Sequence, residues 1–490
     1  MAKRVAVIDI GSNSVRMVIY EKTSRYAFSL LHEAKSRVRI SENAYKHHGN
    51  LQDIPMQRAY DALENFLSIA NSFKVRKTLC VATSALRDAP NKQKFVQKVQ
   101  TKLKLNIKII SGEKEAHFGG VACYNLLPPL ESALTIDIGG GSTEFSVIQN
   151  KNIIKTVSLN IGTVRLKELF CDASDLLGAQ EEIDAQLSFL DSIDIDTLVG
   201  IGGTFRALSS SIMEASNYPL DKIHAYSYSA QTLQKQIDNI LQADENSLKA
   251  LKIKTNRFDV IKPGALILQR VLKKLNEPSI MTSGVGVREG VYLSDFLRNS
   301  KEKFPHNFNT SVKNILDSYV DNKEYATQLN KLSKNIFDLT YQYLELKKTY
   351  RYELALAAKL YPAGSKIHYY SQNKHAYNII QNALEYGFSH ESIVLIATLT
   401  KYTKNRLPAH SHLQKYASLL PQEHITNALS YILSLSIALL SHRPRNIDFT
   451  LEFKEGELRV VSKNNLYLCQ QALEKIECTQ SLKVRFIEKK

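Results

Sequence analysis

The stretch Val7-Ile8-Asp9-Ile10-Gly11-Ser12-Asn13-Ser14 returns, nearly residue for residue, as Thr135-Ile136-Asp137-Ile138-Gly139-Gly140-Gly141-Ser142. In each copy an apolar strand delivers an Asp, breaks on glycine and hydroxyl residues, and resumes as a second strand (Val15 to Tyr20; Phe145 to Ile148). Glycine lets the backbone approach an anion closely, so successive N–H groups can form a concave nest for phosphate oxygens. The Asp at the strand end sits beside that nest, placed to hold a divalent cation or orient a water. One Asp-x-Gly turn is ordinarily only a hairpin. Two copies, each ending in Ser, predict a duplicated two-lobed phosphate cleft.

Composition agrees with a soluble intracellular enzyme. A chain of 490 residues is long enough for three or so domains and a large core. Met1-Ala2-Lys3-Arg4 leads straight into a strand, leaving no room for a signal peptide. The longest apolar stretch, near Tyr431 to Leu440, is too short to span a bilayer. Cys80, Cys123, Cys171, Cys469 and Cys478 are scattered without Cys-x-x-Cys spacing, as expected for reduced thiols in a cytosol and against a zinc site. The formal net charge of +16 attracts polyanions, whether nucleic acid, membrane surface or a phosphate-rich small molecule. The same charge also fits a chain from a lysine-rich proteome.

Strand and helix signals alternate through the first part. The apolar spacing predicts helices over Pro55 to Ser72 and Asn91 to Leu103, and buried strands at Thr78 to Ala82 and Ile107 to Ile110. A further helix starts near Gly112, and Pro128-Pro129 separates this lobe from a second. There a strand is expected at Thr197 to Ile201 and a helix from Asp259 to Leu275. Past about Asn299 helical periodicity dominates, while Lys and Tyr accumulate. After about Arg445, a hairpin (Asp448 to Phe453, Glu457 to Val461), a helix (Leu466 to Ile476) and a strand (Leu482 to Ile487) predict a small α+β cap.

Several turns carry polar chemistry. Ala82-Thr83-Ser84-Ala85-Leu86-Arg87 follows a buried strand, so its polar side chains emerge at the carboxyl end, where ligands of open α/β sheets bind. Arg87 suits phosphate oxygens, and equally an exposed cap. Ser111-Gly112-Glu113-Lys114-Glu115 opens a helix, where a carboxylate ordinarily offsets the helix dipole. Glu144 follows the second nest directly, and an acid beside bound phosphate is costly unless a metal intervenes. Gly200-Ile201-Gly202-Gly203-Thr204 and Ser283-Gly284-Val285-Gly286 are further glycine turns suited to phosphates or a nucleoside.

Taken in order, these segments resemble the exopolyphosphatase and guanosine pentaphosphate phosphohydrolase (Ppx/GppA) family, within the actin, Hsp70 and sugar-kinase superfamily. The resemblance rests on Asp9 to Ser14, Ala82 to Arg87, Ser111-Gly112 through Glu115-Ala116, and Asp137-Ile138-Gly139-Gly140-Gly141-Ser142-Thr143-Glu144. Gly203-Thr204, Arg257-Phe258-Asp259 and Arg288-Glu289-Gly290 complete it. It implies two duplicated actin-like (RNase H-like) α/β lobes, 1–126 and 127–300, an all-α HD-like domain at 301–444, and the α+β cap at 445–490.

The same resemblance implies hydrolysis of a terminal phosphoanhydride by water with Mg²⁺ (or Mn²⁺). Glu115 corresponds to the general base, and Asp137 and Glu144 to the acids that hold the metal and order the water, with Asp9 as a further metal candidate. Gly11, Ser12, Asn13 and Ser14, with the Gly139, Gly140, Gly141, Ser142 and Thr143 backbone, correspond to the terminal-phosphate site. Arg87 would neutralise its charge; Gly203, Thr204 and Arg257 would hold phosphates further along.

Departures accompany the match. Lys114-Glu115 replaces two adjacent acids, His117 stands where Arg is common, Phe258 replaces a small residue, and Pro263 interrupts the next helix start. In the HD-like region Leu360-Tyr361-Pro362-Ala363-Gly364 stands where a His and an acid are expected, and no His-Asp dipeptide occurs in the chain. His368 and His375 cannot assemble a metal site alone. The region is therefore expected to be channel wall and dimer surface, with Lys374, Lys401, Lys404 and Arg406 as polyanion contacts or simply a solvated basic face.

Three classes of function follow. The favoured one is a cytoplasmic, homodimeric phosphohydrolase acting on inorganic polyphosphate, guanosine pentaphosphate or both. No membrane or nucleic-acid partner is expected. The second is an ATP-using kinase or ATPase of the same superfamily, and the third a non-enzymatic polyanion-binding protein.

Overall fold

The repeated hairpins seed two sheets built to one plan. In this computed structural model, which describes residues 3–403, 406–477 and 482–488, the first sheet contains β1 (Arg4–Ile10), β2 (Val15–Lys22), β3 (Phe28–Ser36), β4 (Lys77–Ala82) and β5 (Ile107–Ile109) in the order β3-β2-β1-β4-β5. The second contains β6 (Ser132–Ile138), β7 (Thr143–Gln149), β8 (Asn152–Leu159), β9 (Thr197–Ile201), β10 (Tyr226–Tyr228) and β11 (Ser279–Thr282). Read from β8, its order β8-β7-β6-β9-β11 repeats the first sheet, with β10 added at the far edge. In each lobe a hairpin pairs antiparallel, and the next strand joins the first of the pair in parallel. This is the duplication the two hairpins predict, in the actin-like form that the family resemblance implies.

The strands expected from apolar runs are present: Thr197–Ile201 has the expected bounds, and the ends of the others shift by three residues at most. The edge strands β3 and β8 give no such run, because a strand buried on one side only carries Lys, Ser, Thr and Glu along its open side. Helices Asp53–Ser72 and Lys92–Leu103 cover the first sheet through Met56, Leu63, Phe66, Phe95 and Val99. Helix Phe258–Leu272 nevertheless continues through Pro263, its sixth residue, where the missing N–H leaves the Asp259 carbonyl without its i→i−4 bond.

The chain divides into two compact units, one ending at Phe308 and the other beginning at Asn309. The helical texture starts near residue 300, yet the next residues still belong to the first unit. Glu302 pairs with His117 at 2.7 Å, and the Phe304 N–H donates to Asn125 Oδ1 at 3.2 Å. The second unit packs helices around Leu329, Ile336, Phe337, Leu354, Ile396, Leu429 and Leu433. Its three strands, β12 (Phe449–Lys454), β13 (Glu457–Ser462) and β14 (Lys483–Glu488), pair in that order. Phe449, Leu458, Val460 and Cys469 join the same core as the helices, so the C-terminal α+β piece is continuous with the helical domain. The apolar Tyr431 to Leu440 stretch lies on helix Glu423–Leu439 inside this core. No helix among the described residues is long and apolar enough to cross a membrane. Lys404 and Cys478 lie outside the described residues.

Of the basic residues singled out in this unit, Lys374 and Arg406 are exposed, whereas Lys401 is held in an aromatic cluster. Its Nζ lies 4.7 Å and 5.2 Å from the Tyr377 and Tyr402 ring centres and 3.3 Å from His412 Nδ1. Since Nδ1 accepts from the ammonium, the ring proton sits on Nε2, 2.9 Å from Thr398 Oγ1. Burial first, then Lys401 and Lys415, push His412 down to about 4. The unfolded chain, with an ordinary histidine near 6.5, then binds a proton that the native state refuses. Stability from this site is complete above about pH 6.5 and is lost as pH falls towards 4, by at most about 3 kcal/mol. Urea midpoints at pH 7 and pH 5 are expected to converge in His412→Gln relative to the unsubstituted chain. An unchanged pH slope would remove His412 as its cause.

Candidate active site

The two hairpins place their polar residues in register. Asp9 pairs with Arg16 across β1 and β2, and Asp137 pairs with Glu144 across β6 and β7. Both turns close through the same backbone bond, Gly11 N–H to Ser14 O at 3.2 Å and Gly139 N–H to Ser142 O at 2.9 Å. Duplication therefore preserved the Asp and the nest but reversed the partner's charge: Arg16 occupies in the first lobe the position of Glu144 in the second. The turns face each other closely, a Cβ on Gly140 falling 2.7 Å from Ser12 Cβ. Gly202, at φ +81°, leads β9 into helix Gly202–Ala215, where a Cβ would lie within contact distance of Asp137 Oδ1. Only glycine combines that backbone with so close a carboxylate.

Glu115 reaches the cleft from helix Gly112–Leu126, whose start is fixed by Ser111 Oγ accepting the Lys114 N–H at 3.2 Å. It is buried, and its Oε2 accepts from Arg87 Nη1 at 3.0 Å. The other arm of the Arg87 guanidinium lies 3.3 Å from Ser142 Oγ and 4.0 Å from Glu144 Oε1. Glu144 Oε1 also accepts from Ser158 Oγ at 2.9 Å. Burial, reinforced by the nearby Glu144 charge and opposed by Arg87, raises Glu115 well above the ordinary glutamate range. Burial likewise raises Glu144, with Asp137 adding to the effect and Ser142 opposing it. Two buried carboxylates with raised proton affinity thus flank one guanidinium at the cleft floor.

Cations line the cavity between the lobes. Arg16, Lys35, Arg206, Arg257 and Arg288 all face it, alongside Asp9 and Asp137. Burial, then Arg16 and Arg288, pull Arg206 down to about 10; burial, then Arg16, Arg257 and Arg206, pull Lys35 down to about 8. Burial and Arg16 likewise lower Arg257. Arg206 is aimed by its bonds to Gly202 O and Gly284 O at 2.9 Å and 2.8 Å, and Arg288 by Glu33 at 2.7 Å. Cations that are buried and mutually repelled gain strongly from an anionic ligand, so this surface is electrostatically built for a polyanion.

Of the residues expected from sequence, Asp9, Gly11, Ser12, Asn13, Ser14, Glu115, Asp137, Gly139, Gly140, Glu144, Gly203, Thr204 and Arg257 line this one cavity. Arg87, Gly141, Ser142 and Thr143 stand outside its lining. Arg87 turns to Glu115 and Ser142, Gly141 packs against Tyr45 and Ser84, and the Thr143 hydroxyl donates to Ile161 O at 2.5 Å. Arg16, Lys35 and Arg206 lie outside every motif that marks the site in sequence, and Arg288 belongs to the Arg288-Glu289-Gly290 segment, to which the resemblance attaches no role. Aligning the two repeats two residues past Ser14 and Ser142 exposes Arg16 opposite Glu144.

Residues 4–299 match the model of the Ppx/GppA phosphatase family, and residues 309–481 match domain III of that family. The chain belongs to the Ppx/GppA phosphatase family. It is 24% identical over 493 residues to a guanosine-5'-triphosphate,3'-diphosphate pyrophosphatase of Photobacterium profundum, covering 97% of this chain and 94% of that protein. It is 30% identical over 297 residues to a bifunctional 3-dehydroquinate synthase/phosphatase of Fusobacterium nucleatum, over 57% of this chain but only 44% of that protein. Among solved structures it is similar to the Aquifex aeolicus Ppx/GppA family member, with TM-score 0.53 and 28% identity over 61% of this chain and 99% of that one.

In this Ppx/GppA phosphatase the acids can be tested against the divalent cation that the resemblance implies. Among the described residues no three His, Cys, Asp or Glu side chains come together around one point. Asp9, Asp137 and Glu144 therefore do not form a shared three-carboxylate site. Asp9 Oδ1, however, is buried with no hydrogen-bond partner, and burial raises Asp9 to about 6 against the pull of Arg288 and Arg16. Mg²⁺ takes one or two carboxylates and completes its shell with phosphate oxygens and water. Asp9 and Asp137 fit that smaller role, whereas Glu144 is engaged by Ser158 and the Arg87 side of the cleft.

Proposed function

We propose that this protein is a cytoplasmic phosphohydrolase removing the terminal phosphate of inorganic polyphosphate or of guanosine pentaphosphate. The carrying observation is the buried Glu115 carboxylate, pinned by Arg87 at 3.0 Å beside a glycine nest and a wall of cations. With the Gly11 and Gly139 N–H groups closing the turns, the backbone N–H groups of Ser12 to Ser14 and of Gly140 are those offered to the terminal phosphate. Arg16, Arg206, Arg257, Arg288 and Lys35 offset the charge of the phosphates that follow. Glu115 accepts a proton from water as its oxygen bonds to the terminal phosphorus and the bridging P–O bond breaks, releasing orthophosphate and a chain one phosphate shorter. Glu144 and Arg87 keep Glu115 oriented and tune its basicity. Mg²⁺ (or Mn²⁺), held through Asp9 and Asp137, would add charge neutralisation at the phosphates.

The full-length similarity to a guanosine-5'-triphosphate,3'-diphosphate pyrophosphatase supports the nucleotide; the cation-lined cleft and net charge of +16 support polyphosphate. Phosphate release from both, in parallel with ATP, decides between them. Release from at least one of the first two, abolished when EDTA removes the metal, is the expected result. Turnover of ATP alone would move the protein to the kinase and ATPase branch of the superfamily. Silence on all three would leave a polyanion binder.

A further inference from the structure

The second unit contains a cavity of ≈ 280 Å³ that the phosphohydrolase reading does not use. Tyr361, from the Leu360 to Gly364 stretch that lacks metal-ligating side chains, forms part of its wall with Tyr325, Tyr369, Gln372, Thr403 and Arg443. Tyr325, Tyr361, Gln372 and Thr403 are buried, and the Tyr361 hydroxyl is hydrogen-bonded to Thr403 and Gln372. Tyr369 and Arg443 stand exposed at the mouth. The Arg443 guanidinium lies 3.5 Å above the Tyr325 ring centre. Among the described residues no carboxylate lines the cavity and none forms a salt bridge with Arg443.

This inventory differs in kind from the cleft. The cleft gathers Arg16, Lys35, Arg206, Arg257 and Arg288 for a run of phosphates; here one cation accompanies three aromatic rings. The volume of ≈ 280 Å³ falls just below the range of about 300–1,000 Å³ usual for drug-sized ligands, which suits a small ligand. Tyrosine faces and a guanidinium plane stack with nucleobases, amides read base edges, and arginine engages phosphate oxygens. We propose that this cavity binds a purine nucleoside monophosphate, its base against the tyrosines and its phosphate at Arg443.

The test is photo-crosslinking of the full chain with 8-azido-GMP in EDTA, followed by peptide mapping. Label is expected on peptides spanning 361–372 or 434–443, displaced by GMP and AMP. Arg443→Gly is expected to weaken that labelling about tenfold or more, the effect of losing a charged hydrogen bond. The variant preserves the turn, since Arg443 has φ +52°, a conformation glycine adopts freely; an unchanged near-ultraviolet circular dichroism spectrum checks this. Label confined to the cleft, or indifferent to Arg443→Gly, would overturn the proposal. Equal displacement by UMP or by inorganic phosphate would overturn the purine nucleotide assignment. Because the readout needs no turnover, its failure is separable from failure of the phosphohydrolase reading.

Discussion

Glu115→Gln is expected to lower kcat for phosphate release by about 10²–10⁴-fold, the usual contribution of a general base, while leaving KM nearly unchanged. The substitution keeps the side-chain shape, and the amide oxygen still accepts from Arg87, so the helix start and the cleft floor stay in place. What disappears is the site that takes the water proton. The pH profile gives a second reading of the same group. Burial and Glu144 raise the Glu115 pKa, and the base works only when deprotonated. The acid limb of kcat/KM should therefore lie on the alkaline side of an ordinary glutamate and vanish from the residual activity of the variant. A variant retaining full kcat would remove Glu115 from the mechanism. Loss of affinity with unchanged kcat would make it a binding residue instead.

Gly290→Ala is expected to be the most damaging small substitution in the first unit. Helix Val287–Phe296 packs on helix Gly112–Leu126, and a Cβ at residue 290 would fall within contact distance of Phe118 O and Phe118 C. These are backbone atoms within a hydrogen-bonded helix, so no rotamer change relieves the overlap. The helices must separate, at a cost of about 3 kcal/mol or more, at the upper end of overpacking effects. Separation also moves the helix that carries Glu115, so kcat falls together with the urea midpoint. Gly119→Ala on the same helix is the control. Its Cβ would meet only Ile201 Cδ1 at 3.3 Å, the movable end of a side chain, and a loss of about 1 kcal/mol or less is expected. Equal urea midpoints for the two variants would disprove the close-approach account.

Paired single-site effects of this kind show where local sequence carries information and where it does not. The duplicated Asp-x-Gly hairpins are legible because strand, turn and returning strand are contiguous, and because apolar alternation and glycine placement are local constraints. Asp9, Asp137 and Glu144 sit beside the turns of these hairpins, whereas Glu115 opens a helix and is singled out only by the family resemblance. The edge strands Phe28–Ser36 and Asn152–Leu159 escape notice because one open side removes the apolar run. The C-terminal strands read as a separate cap because sequence spacing does not reveal that Phe449 and Val460 share a core with Ile336 and Leu433.

By itself, then, the sequence determined the two-lobed architecture, the paired nests and the acids beside them, since each depends on residues close along the chain. Only the tertiary structure decided how charge is distributed around them. Arg87, equally suited on sequence to phosphate or to a cap, turns to Glu115 and Ser142. Arg16, Lys35, Arg206, Arg257 and Arg288 converge from β2, β3 and three distant segments onto one cavity. Side chains so far apart in the chain leave no shared periodicity, and the repulsion that suits them to a polyanion arises only once folding has buried them together.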